Sequence, residues 1–412
     1  MKYIFHLGRI PALSIAELQA ALNKTKTEYS MKFISREMLT LDIKNDIDFK
    51  ELLPQMGGTI KIAVFLDSYQ NLEDVFEKIN FIVNEKMPGK KTIGYSFYQT
   101  KEKEDSEIYR EFREIETRFK NIKKSLIGKS SVRIVFPDNK TMELNSASIF
   151  KNKLTVKGSE FNIIMSNDKI ILSKTIAVQD VESYSKRDYD RPCRDSHIGM
   201  LPPKLAQIMI NLANIKEGQT IFDPFCGIGT ILQEALLNDY KIIGSDANDK
   251  QIENSKTNLE WISKKYILKY PDYKIFQSDI GNISKKIKPN SIDAIVTESN
   301  LGPVYKKTPK KQEVRQNFNT LEKMYLRFFQ ASKSVLRKKA KIVVTLPAYR
   351  INQKQHVFTP FIDKLEKIGY SIICPLDEKF ITKYTKITSR NSIVYSRPDQ
   401  IVAREVVIFE NK

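Results

Sequence analysis

"DPFCGIGTI", residues 223–231, decides the fold. It ends the apolar run Thr220-Ile221-Phe222 with an acid, then turns through Gly227 and Gly229 into a helical pattern. Two glycines separated by one residue permit a tight turn and close approach of backbone to a ligand. A lone Gly-x-Gly is weak evidence, so its surroundings matter. From Lys204 onward, helices alternate with buried strands: helix 204–213, strand "TIFDPF", helix 229–238, strand "KIIGSD", helix 249–265, strands "YKIFQSD" and "IDAIV". Helix 319–335, strand "KIVVTLP", helix 357–368, strand "YSIIC" and a final strand "AREVVIFE" follow. This alternation predicts an α/β fold with a mostly parallel, doubly wound sheet, whose ligands bind beyond the carboxyl ends of the strands.

Three of those strands end in acids: Asp223, Asp246 in "GSDAND" and Asp279 in "QSDI". Aspartate is a common turn residue, and one such acid carries no functional weight. Three at successive strand ends suit an adenosine-containing ligand, because ribose hydroxyls and the adenine amine are donors. The turn lacks both the third glycine of the dinucleotide fingerprint and the Gly-Lys-Ser/Thr of a P-loop. S-adenosylmethionine, which has no phosphate to cradle, therefore fits better than NAD or ATP. Cys226, between Phe225 and Gly227, reads as a small packed residue rather than a nucleophile.

A chain of 412 residues is long for one core and predicts two or three domains. Its 68 Lys+Arg against 49 Asp+Glu give a net charge of +19, an excess that points to a polyanionic partner, most often nucleic acid. No window has the roughly eighteen consecutive apolar residues of a membrane span. The start "MKYIFHLGR" lacks the apolar stretch and cleavage site of a signal peptide, so a cytoplasmic location is expected. Cys193, Cys226 and Cys374 form no C-x-x-C pair, and His6, His197 and His356 are scattered, so neither a disulfide framework nor a metal site is expected.

Residues 1–95 read as a small α+β unit: strand "KYIFHLG", helix "SIAELQAAL", strand "MLTLDI", a helix around 71–84 and strand "TIGYSFY". Ser14 is the expected N-cap of the first helix, with Glu17 as its capping-box partner. Within 106–127, Ile108, Phe112, Ile115, Phe119, Ile122 and Leu126 recur at helical spacing, opposite a basic face. With strands "SVRIVF", "LTVKGSEFNIIMS" and "KIILSKTIAVQ" they make a second unit, 96–180. Residues 181–203, polar and without a clear period, read as a linker into 204–412.

"DPFCGIGTI" resembles the cofactor motif of class I RNA methyltransferases, which have a Rossmann-like fold. "GMLPPKLAQIMINLA", 199–213, resembles the segment preceding that motif in THUMP-containing tRNA guanine-N2 methyltransferases. "LGRIPALSIAEL", 7–18, resembles the start of the group acting on guanosine 10 of tRNA, and strands 131–178 look like a THUMP domain, an RNA-binding module. The resemblance covers nearly the whole chain. It implies a ferredoxin-like domain over 1–95, a THUMP domain over 96–180 and a methyltransferase domain over 204–412. It further implies S-adenosylmethionine as cofactor, tRNA as partner and a guanine N2 as acceptor. By that resemblance Asp223 and Gly227 lie against the methionine end of the cofactor, with Phe225 and Gly229 in the same turn. Asp246 then holds the ribose and Asp279 the adenine amine, with Ser196 and Met200 further candidates around the carboxylate and ring.

"VTESNLGP", 296–303, follows the strand "IDAIV" where these methyltransferases carry Thr-Asp-Pro-Pro-Tyr-Gly to hold the acceptor amine. Aligned without gaps, Thr297 and Gly302 match, Glu298 replaces the acid, Ser299 and Asn300 replace the prolines, and Leu301 replaces the aromatic. Glu298 and Asn300 are thus the expected catalytic residues, orienting the amine. Tyr305 offers an aromatic surface, and "KKTPKKQEVR", 306–315, forms a basic loop suited to phosphates. Two alternatives stand beside this reading: a tRNA-binding protein that keeps the cofactor but has lost or altered transfer, and a methyltransferase for another tRNA or rRNA guanine. An auxiliary subunit assists some relatives, but nothing in this sequence indicates one.

Overall fold

The computed structural model describes residues 1–85, 90–125, 131–166, 168–194, 200–305, 307–352, 355–398 and 400–412. Leu126, Ser196 and Lys306 lie outside the described residues. The chain divides into two compact units, one of residues 1–9, 27–55 and 59–183, the other of 10–26, 56–58 and 184–412. No helix among the described residues is long and apolar enough to cross a membrane.

The elements of the amino-terminal part are β1 (Lys2–Leu7), α1 (Pro11–Thr25), β2 (Tyr29–Phe33), β3 (Met38–Ile43), α2 (Phe49–Leu52), β4 (Thr59–Tyr69), α3 (Leu72–Glu85) and β5 (Lys91–Gln99). They continue as α4 (Asp105–Ser125), β6 (Val132–Val135), α5 (Ser146–Lys151), β7 (Ser159–Met165) and β8 (Ile170–Val178). All but α1 build the first unit, around a mixed sheet of order β2-β3-β1-β4-β8-β7-β5-β6. A boundary at residue 95 would cut through β5, and β4 pairs with β8, so one sheet joins 1–95 to 96–180. The helical spacing in 106–127 does its expected work: Phe112, Ile115, Phe119 and Ile122 are buried beside Val75, Phe76 and Ile79 of α3. Tyr95 of β5 stacks on Phe119, with ring centroids 4.3 Å apart.

Helix α1 belongs to the second unit and starts one turn earlier than the Ser14 cap reading. Pro11 supplies a fixed φ for the first turn, and Ser14 lies inside the helix with its Oγ donating to the Ile10 carbonyl. Glu17 is no capping partner. Its buried carboxylate accepts from the N–H groups of Gly57 and Gly58 at 2.8 and 2.7 Å and from Asn211 Nδ2 at 2.9 Å.

The second unit takes α6 (Val181–Tyr189) from residue 184 onward and continues with α7 (Pro203–Ala213), β9 (Thr220–Asp223), α8 (Thr230–Leu237), β10 (Lys241–Asp246), α9 (Asp249–Lys265), β11 (Tyr273–Gln277) and β12 (Ile292–Glu298). It ends with α10 (Lys311–Val335), β13 (Leu336–Arg350), β14 (His356–Phe358), α11 (Ile362–Ile368), β15 (Tyr370–Ile373), β16 (Ile393–Tyr395) and β17 (Val402–Asn411). Its sheet runs β11-β10-β9-β12-β13-β17-β15. The first five strands are parallel, as in Rossmann-like folds, while β14, β15, β16 and β17 pair antiparallel, so the sheet is mixed rather than mostly parallel. The order reverses at β9, which has β10 on one side and β12 on the other; this is where such sheets open a crevice.

Three local expectations differ from the structure. The linker segment begins with helix α6, and its Arg187 makes a buried ion pair of 2.7 Å with Glu234 of α8. The helix expected over 357–368 is divided: residues 356–358 pair with β13, and the helix follows at 362. Residues 311–315 of the expected basic loop form the start of α10, whose first turn is closed by Lys310 N–H donating to the Glu313 carboxylate at 2.6 Å.

In the first unit, Lys61 of β4 and Glu160 of β7 pair at 2.7 Å with side chains 3% and 0% exposed, and Ser96 and Thr175 also donate to Glu160. Leaving one buried charge alone costs about 3–5 kcal/mol, whereas apolar replacement of both costs little. Lys61→Met is therefore expected to lower stability by about that amount in urea unfolding, and Lys61→Met/Glu160→Leu to recover most of it.

Candidate functional site

The candidate site is built from the ends of four neighbouring strands, β11, β10, β9 and β12. In the register of the parallel pairs, Asp223 lies opposite Gly244 and Asp246 opposite Gln277, which brings three acid-bearing strand ends together. The turn after β9 is held to β10 by two bonds: Cys226 N–H to the Ser245 carbonyl at 2.9 Å, and Gly227 N–H to Asp246 Oδ2 at 3.0 Å. Both glycines of the turn have positive φ, 49° at Gly227 and 82° at Gly229. A Cβ at Gly229 would stand 2.6 Å from Ser255 Oγ, so glycine is needed there for packing as well as conformation. A Cβ at Gly227 would meet nothing within 4 Å, so that side of the turn is open to a ligand.

Asp223 is 2% exposed. Its Oδ1 accepts both internal hydrogen bonds, from Thr297 Oγ1 at 2.6 Å and Phe225 N–H at 3.2 Å, while Oδ2 has no hydrogen-bond partner among the described residues. Burial pushes its carboxyl up to about 7, against the pull of those two donors and with added repulsion from Asp246 and Glu298. Asp246 is half-buried, fixed by Gly227 N–H on Oδ2 and Asn248 N–H on Oδ1 at 2.9 Å. Asp279 is exposed and caps the short 3-10 turn that follows, accepting on Oδ1 from Gly281 N–H at 2.9 Å and from Arg327 Nη2 at 2.5 Å. Its Oδ2 is left without a hydrogen-bond partner among the described residues.

Phe225 packs edge-on against Phe328 of α10, centroids 5.3 Å apart. Met200 Sδ accepts from Arg191 Nη2 at 3.1 Å, and Arg191 Nη1 donates to Thr230 Oγ1 at 2.7 Å at the start of α8. Burial pushes the Cys226 thiol well up, as suits a packed residue. Among the described residues no three His, Cys, Asp or Glu side chains gather to hold a metal ion.

At the end of β12 the geometry separates the two expected catalytic residues. The Glu298 carboxylate is taken by Arg404 of β17 through a bidentate ion pair, Nη2 to Oε1 at 2.9 Å and Nε to Oε2, with Thr345 Oγ1 at 3.3 Å from Oε2. An anion committed to a fork of this kind is poorly placed to orient an amine as well. Asn300 is exposed; its Oδ1 accepts from Gly302 N–H at 2.8 Å and its carbonyl from Tyr325 Oη at 3.2 Å. Gly302 has φ of 89° and could not carry a side chain, since its Cβ would collide with Tyr349 Oη. Tyr349 Oη donates to the Leu301 carbonyl at 2.9 Å, and Tyr305 packs edge-on against the Tyr349 ring at 5.8 Å.

Arg191, Arg404 and Tyr349 are the site residues that sequence reading missed. A signal existed for Arg404: "AREVVIFE" sets two adjacent charges in an apolar strand, and each needs a partner on its own face.

A family model for a methyltransferase domain, described as RMKL-like, matches residues 191–356, and a model described as DNA methylase matches 23–257. A relative named probable tRNA (guanine(10)-N2)-dimethyltransferase from Methanothermococcus thermolithotrophicus is 31% identical over 119 residues, 29% of this chain and 70% of that protein. The chain belongs to the tRNA guanine-N2 methyltransferase family. Another member, the tRNA (guanine(10)-N2)-dimethyltransferase of Methanothermobacter thermautotrophicus, is 29% identical over 219 residues. That match takes in 52% of this chain and 59% of the relative, so the chain spans somewhat more than half of that protein's length. For the fold, TrmN from Thermus thermophilus superposes with a TM-score of 0.56 over 100% of both chains at 13% identity. The two family matches overlap over 191–257, the stretch that holds Arg191, Asp223, the glycine turn and Asp246.

Two outcomes are expected of this family site. Arg404→Met, which strands Glu298, should cost about 3–5 kcal/mol in denaturant unfolding, and Arg404→Lys should recover only part because lysine cannot form the fork. Asp223 is protonated in the fold and ionised in the unfolded chain between about pH 4 and 7. Its contribution is fully present below the unfolded value and lost as pH rises through about 7. The stability of the native protein relative to Asp223→Asn should therefore fall from pH 4 to 8; a flat difference would contradict the raised carboxyl. Glu17, also pushed up to about 7 by burial, is common to both proteins and cancels.

Proposed function

We propose that the protein transfers a methyl group from S-adenosylmethionine to the exocyclic N2 of a guanine in tRNA, with guanosine 10 the position favoured by the names of its relatives. The observation that carries this reading is the hydrogen bond from Thr297 to Asp223, which ties the acceptor loop after β12 to the turn after β9. Donor and acceptor are thereby held in one crevice, and proximity and orientation are the main catalytic resource of a direct displacement.

When bound, S-adenosylmethionine supplies an electrophilic methyl carbon on a sulfonium. The residues present fit it. Asp223 directs an unpartnered carboxylate oxygen where a cationic methionine end gains from it, and Gly227 leaves the adjacent space empty. Asp246, oriented by two backbone N–H groups, keeps lone pairs for ribose hydroxyls, and Asp279 keeps Oδ2 for the adenine amine. Phe225, Gly229 and Met200 line or shape the same region, and Ser196 remains a candidate from sequence.

Asn300 is the residue that holds the guanine amine: it is exposed, its Oδ1 is steadied by Gly302, and its backbone is steadied by Tyr325. Accepting from the amine turns its lone pair toward the methyl group, and the proton leaves to water. Glu298 acts at one remove, as a positioning residue locked by Arg404 at the root of the loop. The first unit, with the THUMP-like strands, and the net charge of +19 serve tRNA binding.

The test is incubation with labelled S-adenosylmethionine and unmodified tRNA, followed by nucleoside analysis. Labelled N2-methylguanosine, or its dimethyl form, is expected; cofactor binding with no label in tRNA would leave a tRNA-binding protein. Asp246→Ala should weaken cofactor binding, since hydrogen bonds to a charged group are worth roughly 1.5–3 kcal/mol. Asn300→Ala should spare cofactor binding and lower transfer by on the order of a hundredfold, the usual penalty for misplacing a reactant by about 1 Å. Full activity of Asn300→Ala would move the amine-holding role elsewhere.

A further inference from the structure

Outside this crevice, the second unit has a groove between the start of α10 and the paired strands β13 and β14. It encloses about 580 Å³, a size typical of ligand sites, which run from roughly 300 to 1,000 Å³. Lys311, Arg315 and Phe318 line it from α10, and Ile351, Val357 and Phe358 line it from the other side. The lining contains two cations and no acid. Lys311 and Arg315 are exposed and take part in no ion pair among the described residues. Phe358 is half-buried, with the Arg390 guanidinium 5.0 Å from its ring centre.

The groove is connected to the acceptor loop through one ring. Phe318 packs against Tyr349 with centroids 5.2 Å apart, and Tyr349 donates to the Leu301 carbonyl. A strand whose reacting nucleotide sits at residues 300–302 therefore has an apolar slot with two free cations beside it.

We propose that this groove holds a nucleotide of the RNA strand adjacent to the one that is modified. Its base lies on the apolar wall of Ile351, Val357 and Phe358, and its phosphate is met by Lys311 and Arg315. An aromatic platform beside cations is how single-stranded nucleic acid is held without reading its sequence, and the charge of the lining favours this occupant over an acceptor-poor or cationic peptide. The groove sets how the strand enters, whereas the crevice performs the transfer. This inference rests on RNA being the substrate.

Two variants test it in the 412-residue protein. Lys311→Gln/Arg315→Gln should leave cofactor affinity and melting temperature unchanged and raise the Kd for tRNA on the order of tenfold at low salt. It should also flatten the log–log salt dependence by roughly 0.7 for each phosphate that is no longer neutralised. Phe358→Ala should weaken tRNA binding by roughly five- to a hundredfold, the range for losing one stacked base. In the native protein, 4-thiouridine-substituted tRNA should cross-link to the peptide containing 355–358, and Phe358→Ala should lose that cross-link. Unchanged tRNA affinity and salt slope in both variants, with the native protein binding normally, would overturn the groove assignment alone and leave the slot to another occupant such as a peptide. A native protein that neither binds nor methylates tRNA would instead overturn the RNA reading itself, and the groove assignment with it.

Discussion

A single hydrogen bond, from Thr297 Oγ1 to Asp223 Oδ1, fixes the relation between the two halves of the site. It crosses the point where the strand order of the second sheet reverses, and among the described residues the β9–β12 pairing ends at Phe222 and Ile295, short of the loops. Both partners are buried, so water does not compete for the bond, and the other carboxylate oxygen has no hydrogen-bond partner among the described residues. The cost is a carboxyl that prefers to be protonated up to about 7, because burial penalises its charged form. A cation placed beside it would reverse that preference, because it stabilises the charged form.

The antiparallel strand β17 imposes the second constraint. Neighbouring residues of a strand face opposite sides, so Arg404 and Glu405 cannot neutralise each other. Arg404 reaches Glu298, at the root of the loop after β12, while the fully buried Glu405 is met by Arg390 and Ser392 on the other face. The loop of residues 299–303 thus departs from a base held by a forked ion pair, with Tyr325 and Tyr349 bonding its carbonyls further along. In place of prolines, side chains from β13, α10 and β17 hold this loop.

The fold of the second unit was legible because each helix and strand carries its own period and its own stop signal. The glycine turn after β9 and the acids ending β9 and β10 fell where the alternation put them. What was misread involves partners distant in sequence. Glu17 looked like a capping residue because it stands three residues after Ser14, yet its donors are Gly57, Gly58 and Asn211. Residues 181–203 read as a linker because they are polar and show no clear period, yet Arg187 and Arg191 are buried against α8. A boundary at 95 follows from local patterning, which cannot reveal that β4 pairs with β8, about a hundred residues later.

Sequence by itself determined the α/β alternation, the glycine turn after β9 and the excess of positive charge, since each depends on residues close together in the chain or on a sum over it. Tertiary structure alone decided which end-of-strand groups are free to act. Glu298 and Asn300 are two residues apart and equally polar on paper. One is held by an arginine 106 residues away and the other is left exposed, because a long-range ion pair forms only once the sheet has brought β12 and β17 to either side of β13.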